Sequence, residues 1–251
     1  MYMSVRATMV RRILQLVVGL FLYGIAISLM VQAAVGVDPW DVLTQGVSRL
    51  TGVPFGWLTN IIGGVVLLLR IPIRQRPGLG TVLNVLLIGP SAQLGLTVIP
   101  KATVLWEQIL LFTAGLVLLA IATGLYIGAR LGPGPRDGLM TGIHRRTGWK
   151  IWKVRSGIEV SVLLIGWALG GNFGVGTVAF ALLIGPLVQI TMPRLIVPPP
   201  GQKRERVPFT RPRLPKLPRI RRVQSVATNP TWPGGSAVPP DQWPFGASRN
   251  R

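Results

Sequence analysis

The sequence predicts an all-α integral membrane protein, with six transmembrane helices arranged as two inverted three-helix repeats and short re-entrant or interfacial helices between them. Three observations predict it: six long apolar segments, a one-sided distribution of basic residues, and similarity between positions 96 residues apart. Composition agrees, because 49% of the 251 residues are hydrophobic and only 14% are charged. Soluble domains carry about 25% charged residues.

The composition also excludes several classes of function. The 27 Lys+Arg and 7 Asp+Glu give a net charge of +20, but nucleic-acid binding proteins carry such charge on a soluble domain, so we expect no nucleic acid partner. The chain has no Cys and one His, which excludes disulfides, thiolate ligands and clustered-histidine metal sites. Since no catalytic motif is visible either, we expect no cofactor, no metal and no enzyme activity.

Each of six apolar segments can cross a hydrocarbon core of roughly 30 Å. They cover residues 13–35, 54–70, 81–100, 105–129, 154–171 and 177–193. The second and fifth are short and contain glycine. Together they predict a membrane domain over residues 1–193, with repeats at about 13–100 and 105–193. Residues 194–251 are rich in Pro, Arg and Gly and predict a disordered cytoplasmic tail.

The basic residues predict the orientation of the chain in the membrane. With six spans and both termini in the cytoplasm, all but two of the 27 basic residues lie inside, the exceptions being Arg49 and Lys101. Basic residues are retained on the cytoplasmic side during insertion. We therefore expect a multi-pass protein of the bacterial plasma membrane, in contact with the lipid bilayer.

Two pairs of segments match without gaps at an offset of 96 residues. VGVDPWDVLTQGVSRLTG from Val35 matches LGPGPRDGLMTGIHRRTG from Leu131, and RPGLGTVLNVLLIGP from Arg76 matches NFGVGTVAFALLIGP from Asn172. Because each repeat holds three spans, an odd number, the second copy enters the membrane from the opposite side. Many secondary transporters share this architecture, although duplication can also simply produce a stable bundle.

The first motif (residues 38–41) and the second motif (residues 134–137) each precede a predicted short amphipathic helix. In the first, Asp38 suits the N-cap and Asp41 the third helical position, where a carboxylate can cap free N–H groups. Asp137 is equivalent to Asp41. The two carboxylates are either helix caps or groups that gate or bind a cation or proton at the two mouths of a pathway. Arg136 could pair with Asp137, hold an anion, or be a solvated residue that faces the cytoplasm, which we favour.

Gly80 and Gly176 occupy equivalent positions where the third and sixth spans begin. Glycine lets a partner backbone or a ligand approach the positive end of a helix, and Thr81 and Thr177 are candidate N-caps. These glycines are therefore candidates for a binding site, with close helix packing as the alternative.

Pro90 and Pro186 interrupt the same two spans near mid-membrane. Paired Gly-Pro interruptions in corresponding helices indicate a transporter binding site, so both prolines are candidate substrate-binding residues. Glu159 lies four residues after Arg155, which predicts a salt bridge near the interface.

The tail contains a dense basic segment between residues 203 and 222. Such segments bind anionic lipid headgroups at about 1 kcal/mol per charge. A solvated anchor that keeps the C-terminus inside is the simpler interpretation.

The motif strings resemble those of the YczE/YyaS/YitT group of bacterial integral membrane proteins. VGVDPWDVL with LGPGPRDGLM, and GLGTVLNVLLIGP with GVGTVAFALLIGP, carry the resemblance, which covers about residues 10–193. It implies a location and an architecture, and it supplies no catalytic residue.

Two functions remain open. The first is a transporter-like permease for an unknown small solute. The second is a non-transporting membrane factor that regulates or assembles a partner protein. A membrane enzyme is a distant third possibility, because no catalytic constellation is visible.

Overall fold

The computed structural model of the protein describes residues 5–73, 75 and 77–197, and all regular secondary structure in that part is helical. The all-α class is therefore confirmed. The helices are α1 (Val5–Ala33), α2 (Pro39–Thr51), α3 (Phe55–Leu69), α4 (Leu79–Val98), α5 (Leu105–Gly128), α6 (Pro135–Thr147), α7 (Ile151–Ala168) and α8 (Val175–Leu195).

Four of the described helices, α1, α4, α5 and α8, are long and apolar enough to cross a membrane. The pair α2 and α3, bent by 118°, is a fifth candidate if it forms one span. Helix α7 holds Lys153, Arg155 and Glu159 within its 18 residues, so its composition does not mark it as a span. Length and composition thus support four or five of the six predicted spans.

The outer surface of the helices is apolar. Long hydrophobic side chains face outward along most helices; Leu14 is 60% exposed and Leu182 is 70% exposed. A continuous apolar surface of this kind is unfavourable in water and suits lipid chains. The protein is therefore a multi-pass membrane protein whose helices contact the bilayer.

Helices α1 and α5 pack against each other at the centre, with α4 against α1 and α8 against α5. The main apolar core lies along this central pair. Its buried members include Leu16, Leu20, Ile27, Met30, Phe112, Leu116, Leu119 and Tyr126. The two short helices lie beside this core: α2 packs on α7, and α6 packs on α3.

The two predicted short helices are present as α2 and α6, and each begins at the second residue of its motif. Each has 13 residues and begins at a proline, Pro39 or Pro135, whose fixed φ suits the first helical turn. Each ends at a glycine with left-handed backbone, Gly52 at φ +73° and Gly148 at φ +71°. Their bounds are therefore set by local sequence at both ends.

The loop before each short helix contacts the long helix of the other half of the chain. Gly176 N–H donates to Val35 O at 2.8 Å, and Gly80 N–H donates to Leu131 O at 2.8 Å. A β-carbon at Gly80 would lie 3.1 Å from the carbonyl oxygen of Gly132. The two glycines thus allow a partner backbone to approach closely, which agrees with the close-packing alternative.

Thr81 and Thr177 are not N-caps, which corrects the prediction. Helices α4 and α8 begin two residues earlier, so each threonine lies in the first turn. Thr81 Oγ1 donates to Pro133 O at 2.7 Å, and Thr177 Oγ1 accepts from Val37 N–H at 3.2 Å. Both hydroxyls therefore hold the loop that precedes a short helix.

Helix α8 continues through Pro193 to Leu195, slightly beyond the predicted end of the membrane domain. The rest of the predicted tail, from residue 198 to residue 251, lies outside the described residues. Its predicted disorder and its predicted contact with anionic lipid stay predictions.

Candidate functional site

A cavity of about 370 Å³ lies among the helices and is lined by both motifs. Its charged and aromatic lining residues are Tyr23, Asp38, Trp40, Tyr126, Arg136, Asp137, Arg155, Glu159 and Phe180. Ionisable side chains are rare inside membrane proteins and mark functional sites by default. This cavity is therefore the candidate site.

Asp38 connects the first motif to the second. One carboxylate oxygen caps α2, accepting from Trp40 N–H at 2.6 Å and from Asp41 N–H at 3.0 Å. The other accepts from Arg136 Nη1 at 3.1 Å. The predicted N-cap is confirmed, and the same side chain forms an ion pair across the two halves of the chain.

Asp41 is buried and faces Arg136. Its side chain is 3% exposed, and Oδ1 lies 3.9 Å from Arg136 Nη2, too far for a hydrogen bond. Oδ1 has no hydrogen-bond partner within the described part of the chain. Because Asp38 takes the cap bonds to Trp40 and Asp41, we assign Asp41 no capping role and regard it as a buried carboxylate beside a guanidinium.

Arg136 is surrounded by three groups of the first motif. Besides Asp38 and Asp41, the ring of Trp40 lies 4.9 Å from its guanidinium carbon, within range of a cation–π interaction. The preference for a solvated arginine is therefore wrong: the side chain is only 25% exposed and points to the first motif.

Asp137 lies beside a cluster of tyrosines. Tyr126 Oη donates to Asp137 Oδ2 at 3.2 Å, and the Tyr23 ring packs edge-on against Tyr126 with centroids 5.9 Å apart. Helix α6 has no side-chain cap, because Gly134 stands where α2 has Asp38. The two motifs are thus similar in backbone and different in charge.

Arg70 brings a third guanidinium to this region, after Arg136 and Arg155. It is 2% exposed and lies so close to Gly138 that a β-carbon there would overlap its guanidinium. It interacts electrostatically with Asp137, while its Nε and Nη1 have no hydrogen-bond partner among the described residues. Arg70 therefore helps to balance the charge of the second motif.

The salt bridge between Arg155 and Glu159 is confirmed, with Nε and Oε1 2.9 Å apart. Both residues also line the cavity, so the pair contributes to the site. No group of three or more His, Cys, Asp or Glu side chains in the described segments could hold a metal ion.

The paired prolines lie away from the cavity. Pro90 and Pro186 are exposed on the surfaces of α4 and α8, and neither lines the cavity. Next to Pro90, Gly89 N–H donates to Asn60 Oδ1 at 3.0 Å, which is a helix-packing contact. Gly185 lines the cavity instead.

The expectation of two separate mouths does not hold for this structure. Asp38 and Asp137 line one cavity, and Asp41 faces the arginine that joins the two motifs. Of the predicted site residues, the structure brings Asp41, Arg136 and Asp137 together. It leaves Gly80, Gly176 and the two prolines outside the cavity, which is lined by side chains of both motifs and of the surrounding helices.

Sequence reasoning missed Trp40, Tyr126 and Arg70 as parts of the site. Arg70 was indistinguishable from other basic residues at a helix end, and Tyr126 from an interfacial aromatic. Trp40 carried one usable signal. It stands 96 residues before Arg136, and equivalent positions of two repeats meet when they lie near the axis that relates the repeats.

The similarity to known proteins covers the same segment of the chain as the motif resemblance. A profile of a family of unknown function, DUF6198, matches residues 10–193. An uncharacterized protein of Haemophilus influenzae is 40% identical over 174 residues, which cover 69% of this chain and 80% of that protein. No solved structure matches.

Two further relatives are from Bacillus subtilis. The uncharacterized membrane protein YczE is 33% identical over 180 residues, which cover 71% of this chain and 84% of YczE. The uncharacterized protein YyaS is 27% identical over 181 residues, which cover 70% of this chain and 90% of YyaS. The resemblance found in the motif strings is confirmed, and the chain belongs to the DUF6198 family of YczE-like bacterial membrane proteins.

Proposed function

We propose that the protein is a transporter-like permease for a small solute, and that the cavity lined by both motifs is its binding site. One observation carries the proposal: the ion pair between Asp38 and Arg136 joins the two motifs across this cavity at 3.1 Å. A residue pair that links two halves of a membrane protein around a cavity can open and close access to it.

The proposed architecture is a pair of inverted repeats with six spans. In its support, α2 and α6 have the same bounds at an offset of 96 residues. The hydrogen bonds Gly176 to Val35 and Gly80 to Leu131 also join equivalent positions. Two such halves can exchange conformations, which converts an outward-open state into an inward-open state.

In the proposed cycle, the Arg136 to Asp38 ion pair closes the cavity. Its rupture separates the two motifs and exposes the cavity to one side of the membrane. Helix α6 carries Arg136, and its N-terminus has no side-chain cap. The proposed cycle therefore assigns the movement to α6 and not to α2.

Cysteine labelling tests the topology. The chain lacks cysteine, and Thr51 and Thr147 are exposed, equivalent positions at the ends of α2 and α6. With inverted repeats and cytoplasmic termini, Thr51→Cys should react with an impermeant maleimide added to intact cells. Thr147→Cys should react only after permeabilisation. Labelling of both from the same side contradicts the inverted repeat.

Reconstitution tests transport. The full chain in liposomes is offered a panel of labelled amines, amino acids, sugars and carboxylic acids. We expect saturable uptake of one class, and we expect Asp41→Asn and Asp137→Asn to reduce it to the level of empty liposomes. Glu107→Gln is the matched control, because Glu107 is only half-buried and caps Thr103 N–H at 3.1 Å outside the cavity.

Two results contradict the proposal. The first is an absence of uptake across the panel by a folded, correctly inserted chain. The second is uptake that both aspartate variants retain. If uptake is absent and a stoichiometric protein co-purifies with the chain, the protein is instead a membrane factor that acts on that partner.

A further inference from the structure

Asp38, Asp41 and the Trp40 ring form a three-sided site around a cation. The guanidinium of Arg136 lies 3.1 Å from Asp38 Oδ2, 3.9 Å from Asp41 Oδ1 and 4.9 Å from the Trp40 ring. Carboxylates combined with an aromatic face are the groups that recognise organic cations in proteins. All three belong to the first motif, whereas the cation comes from the second.

Arg136 does not satisfy this site completely. Asp41 Oδ1 is buried, points to the guanidinium and has no hydrogen-bond partner among the described residues. Leaving a buried hydrogen-bond acceptor without a partner is costly. A free cation is not constrained by the backbone of α6, so it could donate to both carboxylates at hydrogen-bond distance.

The charges around the cavity favour cations over anions. The carboxylates are Asp38, Asp41, Asp137 and Glu159, and the guanidiniums are Arg136, Arg155 and the buried Arg70. Carboxylates are in excess even when Arg70 is included. If Arg136 leaves the first motif, the excess around Asp38 and Asp41 increases, and the site then attracts a second cation.

We propose that the first motif is a binding site for a protonated amine or a guanidinium compound, and that Arg136 is a tethered occupant which competes with that solute. The inference rests on the proposed permease function and names its substrate class. Binding of the solute displaces Arg136, which breaks the ion pair between the motifs. Solute binding and opening of the cavity are thereby coupled.

Removing the tethered cation tests the competition. The full-length Arg136→Ala variant in detergent is titrated with methylguanidinium chloride, with sodium chloride and the neutral analogue N-methylurea as controls. We expect methylguanidinium alone to raise the melting temperature, by about 3–5 °C at about ten times its Kd. The wild type should respond much less, because Arg136 fills the site.

Two variants make the result specific. Arg49→Ala removes an exposed arginine that contacts Gly170 O outside the cavity, and it should respond like the wild type. The double variant Asp38→Asn with Arg136→Ala should lose the response. Arg136→Gln, whose amide can still donate to Asp38, is measured in parallel so that poor folding of the alanine variant does not decide the outcome.

The inference is overturned if neither Arg136 variant responds to methylguanidinium, or if Arg49→Ala responds equally. It is also overturned if the wild type takes up only anionic or neutral solutes, a result that leaves the permease proposal intact. Conversely, saturable methylguanidinium binding to the Arg136 variants without any uptake by the wild type rejects the permease and retains the cation site.

Discussion

Arg136→Ala should lower the free energy of unfolding by about 2–4 kcal/mol. Removing one partner of a buried ion pair costs about 3–5 kcal/mol, because the remaining charge is left buried without compensation. The lower range applies here, since the Arg136 side chain is 25% exposed while those of Asp38 and Asp41 are 6% and 3% exposed. Chemical denaturation in detergent measures the change.

A double-mutant cycle separates this effect from simple loss of packing. Asp38→Asn retains the cap on α2, because asparagine is a good N-cap, and removes one of the two uncompensated charges. In the Arg136→Ala background it should therefore restore part of the lost stability. An Arg136→Ala variant no less stable than Arg49→Ala would show that the pair contributes nothing to the fold.

Gly36→Ala should destabilise the protein by about 3–5 kcal/mol. Gly36 has φ +119°, a conformation that costs an L-residue about 1–3 kcal/mol. A β-carbon there would also lie 2.7 Å from the backbone nitrogen of Thr177, and such overpacking costs about 1–3 kcal/mol more. The loss is measured as a shift of the denaturation midpoint in detergent.

Gly52→Ala is the matched control for Gly36→Ala. Gly52 also has positive φ, at +73°, but no atom lies within 4 Å of a β-carbon placed there. Only the backbone cost remains, so we expect a loss of about 1–2 kcal/mol. Equal losses for the two variants would mean that the close approach of α8 to Gly36 adds no steric cost.

The features predicted correctly from the sequence are local ones. Asp38 as N-cap and the pair of Arg155 with Glu159 depend on spacings of a few residues along one helix. The six apolar segments all form helices, which local composition is enough to predict. In α7, however, three charges accompany the apolar residues, and local composition alone does not decide whether it crosses the membrane.

The features that were missed depend on distant contacts. Asp38 and Arg136 are 98 residues apart in the chain, and neither motif contains a local pattern that predicts their contact. The burial of Arg70 depends on the space above Gly138, which belongs to another helix. The spacing of Asp41 allows both a cap and a gating role, and only the structure shows that Asp38 supplies the cap bonds at 2.6 and 3.0 Å.

Trp40 and Arg136 hold equivalent positions in the two halves and contact each other. In a symmetric dimer of identical half-length chains, this position would bring tryptophan against tryptophan or arginine against arginine, and the second pairing is repulsive. A cation on an aromatic face is available only when the two halves differ. The contact thus requires two halves with different sequences. A homodimer built from either half alone could not reproduce this site.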